Sequence, residues 1–397
     1  MRGPGTEGLT RPFLSLYVAW HPAFEQGPEL ARELYEYYRR KLYDNVAGGT
    51  GIPVIYRSEP APGSSVPIDI DLDGSETTAI ILLVDKHWTS SDAWIAWAKQ
   101  LSKRTDDAGF TARIFPVAID DTALKMELEE QAILWNAANS QTSLAQYRDL
   151  KIKLSYQFCR MLRSYLEHLE RPALSEIDLL KYLRPVDIFL SHSKHDSNGS
   201  AIALLVQDFL KNASFSGFFD VFDIPAGLRF NKVILQKVRV SAFVAIHTDS
   251  YSSREWCRRE IIEAKRYNVP LVVANCLDDV DERGFPYMAN VPIVRMDPKL
   301  RDRIDVVVCR LMDEVLKDFL WQAWTRIVGK VADSRTAFIP RPPELIVLAT
   351  LKQRMPDAHT LVYPDPPIGA EEIELFATAA PSVRLLSVTQ WLAGLTT

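Results

Sequence analysis

Residues 240–276 read VSAFVAIHTDSYSSREWCRREIIEAKRYNVPLVVANC. The apolar run Val240–Ile246 is typical of a buried strand, Arg254–Tyr267 has helical periodicity, and Val269–Cys276 is a second buried strand. A strand, a helix and a strand in this order form a unit whose two strands run parallel. This stretch therefore predicts an α/β domain built around a parallel sheet.

The same alternation of strands and helices continues on both sides of that unit. Further strands are predicted at Val186–Leu190, Phe218–Phe222 and Val291–Arg295, and helices at Ser200–Lys211, Asn231–Val238 and Arg301–Val328. Five parallel strands with helices between them make a flavodoxin-like, doubly wound sheet. Such sheets bind ligands outside the carboxyl ends of their strands.

Two other segments have their own strand and helix patterns. The first has predicted strands at 13–20, 52–57, 78–84 and 112–119, helices at 27–43 and 91–104, and a long helical tract at 122–169. The last has strand-like runs at Leu345–Ala349, Thr360–Tyr363 and Val383–Ser387. We therefore expect a flexible tail at 1–12, an α/β domain at 13–170 with a helical extension, a linker at 171–184, the central domain at 185–329 and a small α/β segment at 330–397.

The first segment contains a degenerate copy of the central pattern. At an offset of 162 residues, the strand run Ala79–Val84 aligns with Ser241–Ile246, and Ser90-Ser-Asp-Ala-Trp94 aligns with Ser252-Ser-Arg-Glu-Trp256. The next strand leads into an Asp-Asp pair in both segments. We interpret the first segment as a second copy of the same fold, in which Ala98 occupies the position of Glu260.

Composition excludes several classes of function. The formal net charge of -5 argues against broad binding of nucleic acid or of an anionic membrane surface. No apolar run approaches the roughly 18 residues of a membrane span, and the first residues lack the apolar core of a signal peptide. The four cysteines have no metal-type spacing, which favours reduced thiols in a cytoplasmic protein.

Three motifs of the central segment carry a specific resemblance. Val186-Asp-Ile-Phe-Leu-Ser-His192 is similar to the first strand of Toll/interleukin-1 receptor (TIR) domains, and Phe222-Asp-Ile-Pro-Ala-Gly227 is similar to their BB loop. Tyr251-Ser-Ser-Arg-Glu-Trp-Cys-Arg-Arg-Glu260 resembles their helix signature S-x-W-C-x-x-E, which is nearly complete here. The resemblance covers residues 185 to about 320.

This resemblance implies a function and a set of site residues. In NAD-cleaving TIR domains the last Glu of the signature is catalytic, and the match falls on Glu260. The substrate would be NAD⁺, cleaved without a metal to nicotinamide and ADP-ribose or a cyclic isomer. The residues expected to bind it are Ser191, His192, Phe222, Asp223, Gly227 and Trp256. Similar bacterial proteins act in antiphage defence and depend on TIR–TIR self-association, in which the first copy could serve for docking or sensing.

The chemistry agrees with that assignment. Cleavage of the nicotinamide–ribose bond passes through an oxocarbenium-like state, as glycoside hydrolysis does. A carboxylate in a water-poor cleft stabilises the positive charge that develops there. Because nicotinamide leaves without needing a proton, one carboxylate can suffice. Trp256 lies one helical turn before Glu260 and would line the same pocket.

Other interpretations of these residues remain open at this point. Glu260 could be an ordinary helical Glu, and Trp256 could be core packing. His192 and His195 have no partner ligands at metal spacing, and Cys257 occupies a structural position of the signature. The tryptophans at 88, 94 and 97 favour a core over a base-stacking platform. No G-x-S-x-G or P-loop motif is present, so the acyl and phosphate chemistries that depend on these motifs lack support in the sequence. The alternatives that remain open are a non-enzymatic TIR adaptor and a nucleoside deoxyribosyltransferase-like enzyme.

Overall fold

The computed structural model describes residues 11–41, 51–126, 128, 130–135, 143–173, 186–212, 230–297 and 303–395. The chain forms two compact units. The first unit comprises Met1–Leu183 with Phe319–Ala332, and the second comprises Arg184–Asp318 with Asp333–Thr397. The domain boundaries expected from the sequence stay a prediction.

The first unit contains a five-stranded parallel sheet in the order β2-β1-β3-β4-β5. Its strands are β1 (Leu14–Trp20), β2 (Val54–Arg57), β3 (Thr77–Val84), β4 (Ala112–Ala118) and β5 (Ile133–Leu134). Every residue of β1 and β3 is buried, as expected for central strands covered on both faces. The order 2-1-3-4-5 is that of flavodoxin-like folds.

The helices of the first unit are Gly27–Tyr35, which continues as a π-helical turn to Lys41, then Lys86–Thr89, Asp92–Asp107 and Ser143–Glu170. The long helical tract predicted for 122–169 is therefore wrong in its first third. Residues Ala123–Lys125 form only a 3₁₀ turn, and Ile133–Leu134 is the edge strand β5. A two-residue strand is too short for a periodicity to reveal it.

The second unit contains a parallel sheet whose described strands have the order β6-β7-β8-β9. These strands are β6 (Ile188–Ser191), β7 (Ala242–His247), β8 (Leu271–Asn275) and β9 (Ile293–Arg295). The helices of the unit before residue 330 are Ser197–Asn212, Phe230–Val238, Glu255–Arg266 and Ile304–Val328, whose end belongs to the first unit. The predicted strand Phe218–Phe222 lies outside the described residues.

The C-terminal part of the second unit has a separate three-stranded parallel sheet, β10-β11-β12. Its strands are β10 (Thr336–Phe338), β11 (Thr360–Tyr363) and β12 (Arg384–Ser387), and its helices are Leu345–Arg354, Ala370–Ala379 and Val388–Leu395. The strand predicted at Leu345–Ala349 is wrong, because these residues begin a helix. A short apolar run fits a buried helix as well as a strand. Here the buried residues Ile346, Val347 and Leu351 continue beyond the run at the spacing of one helical face, which a strand would not show.

These sheets confirm the predicted α/β fold class with flavodoxin-like parallel sheets. The tryptophans Trp88, Trp94 and Trp97 belong to the core of the first unit, as expected. All four cysteines are buried and free. None of the helices in the described part of the chain is long and apolar enough to cross a membrane.

Candidate active site

The helix Glu255–Arg266, here called the signature helix, positions the predicted catalytic residue. Acidic Glu255 lies in its first turn and basic Lys265 and Arg266 in its last, which suits the helix dipole. Its buried stripe consists of Cys257, Glu260, Ile261 and Ala264, spaced at three and four residues. Glu260 is therefore buried because it occupies a core-facing position, and it is not an ordinary solvated helical Glu.

A second buried carboxylate on the same helix has a different environment. Glu263 accepts a hydrogen bond from Arg239 Nε at 2.5 Å, which forms an ion pair, and it is 5% exposed. Glu260 is 9% exposed and has no ion pair among the described residues. A buried carboxylate without a counterion is costly to keep for structure alone, so such groups are candidates for function.

The carboxyl end of β6 contacts Glu260 directly. Ser191, the last residue of β6, donates a hydrogen bond from Oγ to Glu260 Oε2 at 2.5 Å. The next residue, His192, is half-buried, and its carbonyl oxygen accepts a hydrogen bond from Cys257 Sγ at 3.7 Å. The structure thus brings Ser191, His192 and Glu260 to the edge of the sheet where such folds bind ligands.

Burial controls the protonation of this carboxyl. Desolvation raises the pKa of Glu260 to about 7, whereas the hydrogen bond from Ser191 and the charge of Lys194 act to lower it. At neutral pH the side chain therefore exists in both protonation states. A group with a pKa near the working pH can carry charge in a cleft and exchange a proton there.

The remaining predicted residues fall into two groups. Trp256 is half-buried, and the guanidinium of Arg259 lies 4.3 Å from the centroid of its ring. It precedes Glu260 by one turn of the helix, as predicted. The BB-loop residues Phe222, Asp223 and Gly227 lie outside the described residues.

Two groups in this region are unsuited to nucleophilic catalysis. Burial raises the pKa of Cys257 to about 12, and the nearby Glu260 adds to the effect, so its thiol stays protonated. Ser252, His247 and Asp281 form a cluster, but Ser252 Oγ and Asp281 Oδ2 both contact the same His247 nitrogen, Nε2, at 3.2 and 3.0 Å. A hydrolytic triad needs the carboxylate on the opposite ring nitrogen.

The sequence interpretation missed one participant, Tyr251. Its side chain is fully buried, and its hydroxyl lies 2.7 Å from Ser191 Oγ. It is the first residue of the signature stretch, and a buried tyrosine hydroxyl normally requires a hydrogen-bond partner. That rule could have identified it as a site residue, although not which partner it would find. Among the described residues no group of three His, Cys, Asp or Glu side chains could hold a metal ion.

Comparison with known proteins assigns this part of the chain. Residues 188–304 match the family model described as TIR domain, which confirms the predicted TIR domain over that range. Curated proteins give no match. Among solved structures, a tagatose-6-phosphate ketose/aldose isomerase from Escherichia coli matches at 10% identity, covering 85% of this chain and 88% of that chain, with a TM-score of 0.19. A TM-score this low carries no argument about the fold or the activity.

Proposed function

We propose that this chain, through its TIR domain, is an NAD⁺ glycohydrolase in which Glu260 is the catalytic carboxylate. Water would add to the ribose carbon as the nicotinamide bond breaks, giving nicotinamide, ADP-ribose and a proton; attack from within the same molecule would give a cyclic ADP-ribose isomer instead. One observation carries the proposal: Glu260 is buried at the carboxyl end of β6 with no ion pair among the described residues.

The environment of Glu260 suits an oxocarbenium-like transition state. In a site of low polarity, a carboxylate stabilises developing positive charge more strongly than it would in water. Nicotinamide departs as a neutral molecule, so the reaction does not need the second carboxylic acid with which glycosidases protonate their leaving group. Ser191 supports the reaction by holding Glu260, and His192, Trp256 and the BB-loop residues Phe222, Asp223 and Gly227 would surround the substrate. Self-association and a role in antiphage defence belong to the same proposal.

Purified protein incubated with NAD⁺ is expected to release nicotinamide, measured by chromatography over a range of protein concentrations. A rate that rises faster than the protein concentration is expected if chains must associate. Because the ionised carboxylate is the working form, the rate should rise with pH and reach half its maximum near pH 7. Absence of nicotinamide at every concentration and pH would refute the proposal and favour a non-enzymatic adaptor.

We also propose that the first unit is a degenerate TIR-like copy that lacks an active site. Its sheet order is that of flavodoxin-like folds, and the helix Asp92–Asp107 follows β3 as the signature helix follows β7. Ala98, at the position of Glu260, is fully buried in the core of this unit. The space of the catalytic carboxylate is therefore occupied by apolar packing.

The strand register supports the equivalence of the two units at the position of Ser191 as well. Ser191 lies opposite Ala245 in the second unit, and Trp20 lies opposite Leu83 in the first. Since Ala245 and Leu83 are equivalent at the same offset of 162, Trp20 occupies the position of Ser191. A bulky indole thus replaces the hydroxyl that holds the carboxylate. A Cβ on Gly27 would lie 2.2 Å from this indole, so glycine is required for the close packing.

The stoichiometry of ligand binding tests the inactivity of the first unit. A non-cleavable carbocyclic NAD⁺ analogue is expected to bind at one site per chain in isothermal titration calorimetry. In the part of the chain that the structure describes, only the second unit combines the buried carboxylate of Glu260 with a supporting hydroxyl, that of Ser191. Two equivalent sites per chain would be incompatible with a degenerate first copy.

A further inference from the structure

The fully buried hydroxyl of Tyr251 is the far end of a hydrogen-bonded chain. Tyr251 lies between β7 and the signature helix, and its hydroxyl is 2.7 Å from Ser191 Oγ. Ser191 Oγ is in turn 2.5 Å from Glu260 Oε2. Tyr251 and Ser191 are 0% and 1% exposed, so water cannot readily replace either contact. The three side chains Tyr251, Ser191 and Glu260 therefore form a chain of hydrogen bonds shielded from water, here called the relay, which ends on the Glu260 carboxylate.

The direction of the hydrogen bonds follows from the number of hydrogens. Ser191 has one hydroxyl hydrogen and donates it to Glu260. Tyr251 must therefore donate its own hydrogen to Ser191, and Ser191 is its only hydrogen-bond partner among the described residues. Reversing the chain would leave the phenol hydrogen without an acceptor. The chain is thus polarised towards Glu260, and it binds the ionised form more strongly than the neutral acid.

We propose that Tyr251 is a positioning residue that, through Ser191, favours the ionised form of Glu260 over the neutral acid and fixes the orientation of its carboxylate. Its consequence for catalysis rests on the proposed NAD⁺ glycohydrolase function. Its effect on the ionisation of Glu260 does not depend on that function. The relay opposes the desolvation that favours the neutral acid, and so restores part of the charge that an oxocarbenium-like state needs.

Other titratable groups around the carboxyl do not replace this relay. Lys194, in the segment after β6, is exposed. Its charge lowers the pKa of Glu260 less than the hydrogen bond from Ser191 does, and the opposing effect of burial is larger than either. Cys257, on the signature helix, stays protonated because burial raises its pKa to about 12; Arg254 and Arg258 lower it. Burial also raises the pKa of Tyr251 well above its usual range, so the phenol keeps the hydrogen that it donates. His247 meets Tyr251 edge to face, with ring centroids 5.9 Å apart.

Replacing Tyr251 by phenylalanine removes only the hydroxyl and tests the relay. The pKa of Glu260 is expected to rise by about one pH unit in Y251F, because the remaining Ser191 hydroxyl is a weaker donor. It would be measured by NMR titration of ¹³C-labelled glutamate carboxyls, with Glu260→Gln identifying the signal. The lower limb of the pH–rate profile for nicotinamide release should move by the same amount, and kcat at pH 8 should change less than kcat at pH 6.

Tyr267→Phe is the matched control, since the Tyr267 hydroxyl has no hydrogen-bond partner among the described residues. It should leave the pKa of Glu260 unchanged. Ser191→Ala removes the direct donor and should raise that pKa at least as much as Y251F, which keeps the test available if Y251F folds poorly. An unchanged or lower pKa of Glu260 in folded Y251F would overturn the proposal even if Ser191→Ala raised it, and an unchanged pKa in Ser191→Ala would overturn it if Y251F did not fold. A raised pKa without NAD⁺ cleavage in any variant would uphold the relay and reject the proposed function.

Discussion

Glu260→Gln is expected to release nicotinamide from NAD⁺ about 10³-fold more slowly than the wild type, a loss of about 4 kcal/mol of transition-state stabilisation. Glutamine has nearly the same shape, and its amide oxygen can still accept the hydrogen bond from Ser191 Oγ. What it lacks is the negative charge opposite the developing oxocarbenium ion. The loss should therefore appear in kcat, measured by single-turnover release of nicotinamide with the enzyme in excess.

The matched control for this variant is Glu263→Gln. Glu263 lies on the same helix and is also buried, but its charge is neutralised by Arg239. Its replacement should weaken the ion pair and leave kcat within a few-fold of the wild type. Equal losses of activity in both variants would show that replacing either buried glutamate of this helix impairs activity. The assignment of Glu260 as the catalytic carboxylate would then be wrong.

Loss of stability should not explain the inactivity of Glu260→Gln, because of the way the free energy of unfolding depends on pH. The pKa of Glu260 is raised from 4.5 to about 7, so the native protein holds this proton more tightly than the unfolded chain does. The stability of the wild type therefore falls as the pH rises from about 4.5 to about 7 and then levels off. Glutamine carries no such penalty. As the pH rises across that window, the free energy of unfolding of the variant, measured in urea, should increase relative to that of the wild type by up to roughly 3 kcal/mol.

The sequence predicted the parts of this molecule that depend on local patterns. The unit of strand, helix and strand at residues 240–276 was found with its boundaries shifted by one or two residues, because its apolar runs are long and regular. Glu260 was identified from the signature stretch, although its role in catalysis stays a prediction. The run Leu345–Ala349 was misjudged because five apolar residues fit either kind of element.

Tertiary contacts were beyond the reach of the sequence pattern. Ser191 was predicted to bind the substrate, but its hydroxyl donates to Glu260, a residue 69 positions away in the chain. The contact from Tyr251 to Ser191 spans 60 positions. Both require the carboxyl end of β6 to lie against the signature helix, and strand periodicity does not specify which side chains then meet. A burial rule for tyrosine points to Tyr251 but not to its partner.

The C-terminal sheet region is fixed to the signature helix by a buried ion pair. Lys265 is 4% exposed, and its Nζ donates to Glu344 Oε1 at 2.6 Å and to the carbonyl of Ala289 at 2.7 Å. Burial lowers the pKa of Lys265, and the contact with Glu344 counteracts this. Two further contacts lie close by: Arg341 donates to the carbonyl of Val269 at 2.6 Å, and Arg354 packs over the ring of Tyr267. The segment that follows the TIR domain therefore stabilises the last turn of the helix that carries Glu260.

Lys265→Ala is expected to lower the free energy of unfolding of the second unit by about 3 kcal/mol, because the Glu344 carboxylate and the Ala289 carbonyl lose their buried donor. Arg266→Ala is the neighbouring control: its side chain is 53% exposed and 3.9 Å from Glu263, so its loss should cost less than about 1 kcal/mol. Urea denaturation of both variants measures the difference. The double variant Lys265→Met/Glu344→Leu should recover much of the loss, since it removes both charges and restores apolar packing. If Lys265→Ala were no more destabilised than Arg266→Ala, this ion pair would not anchor the C-terminal segment, and the signature helix would depend only on its own domain.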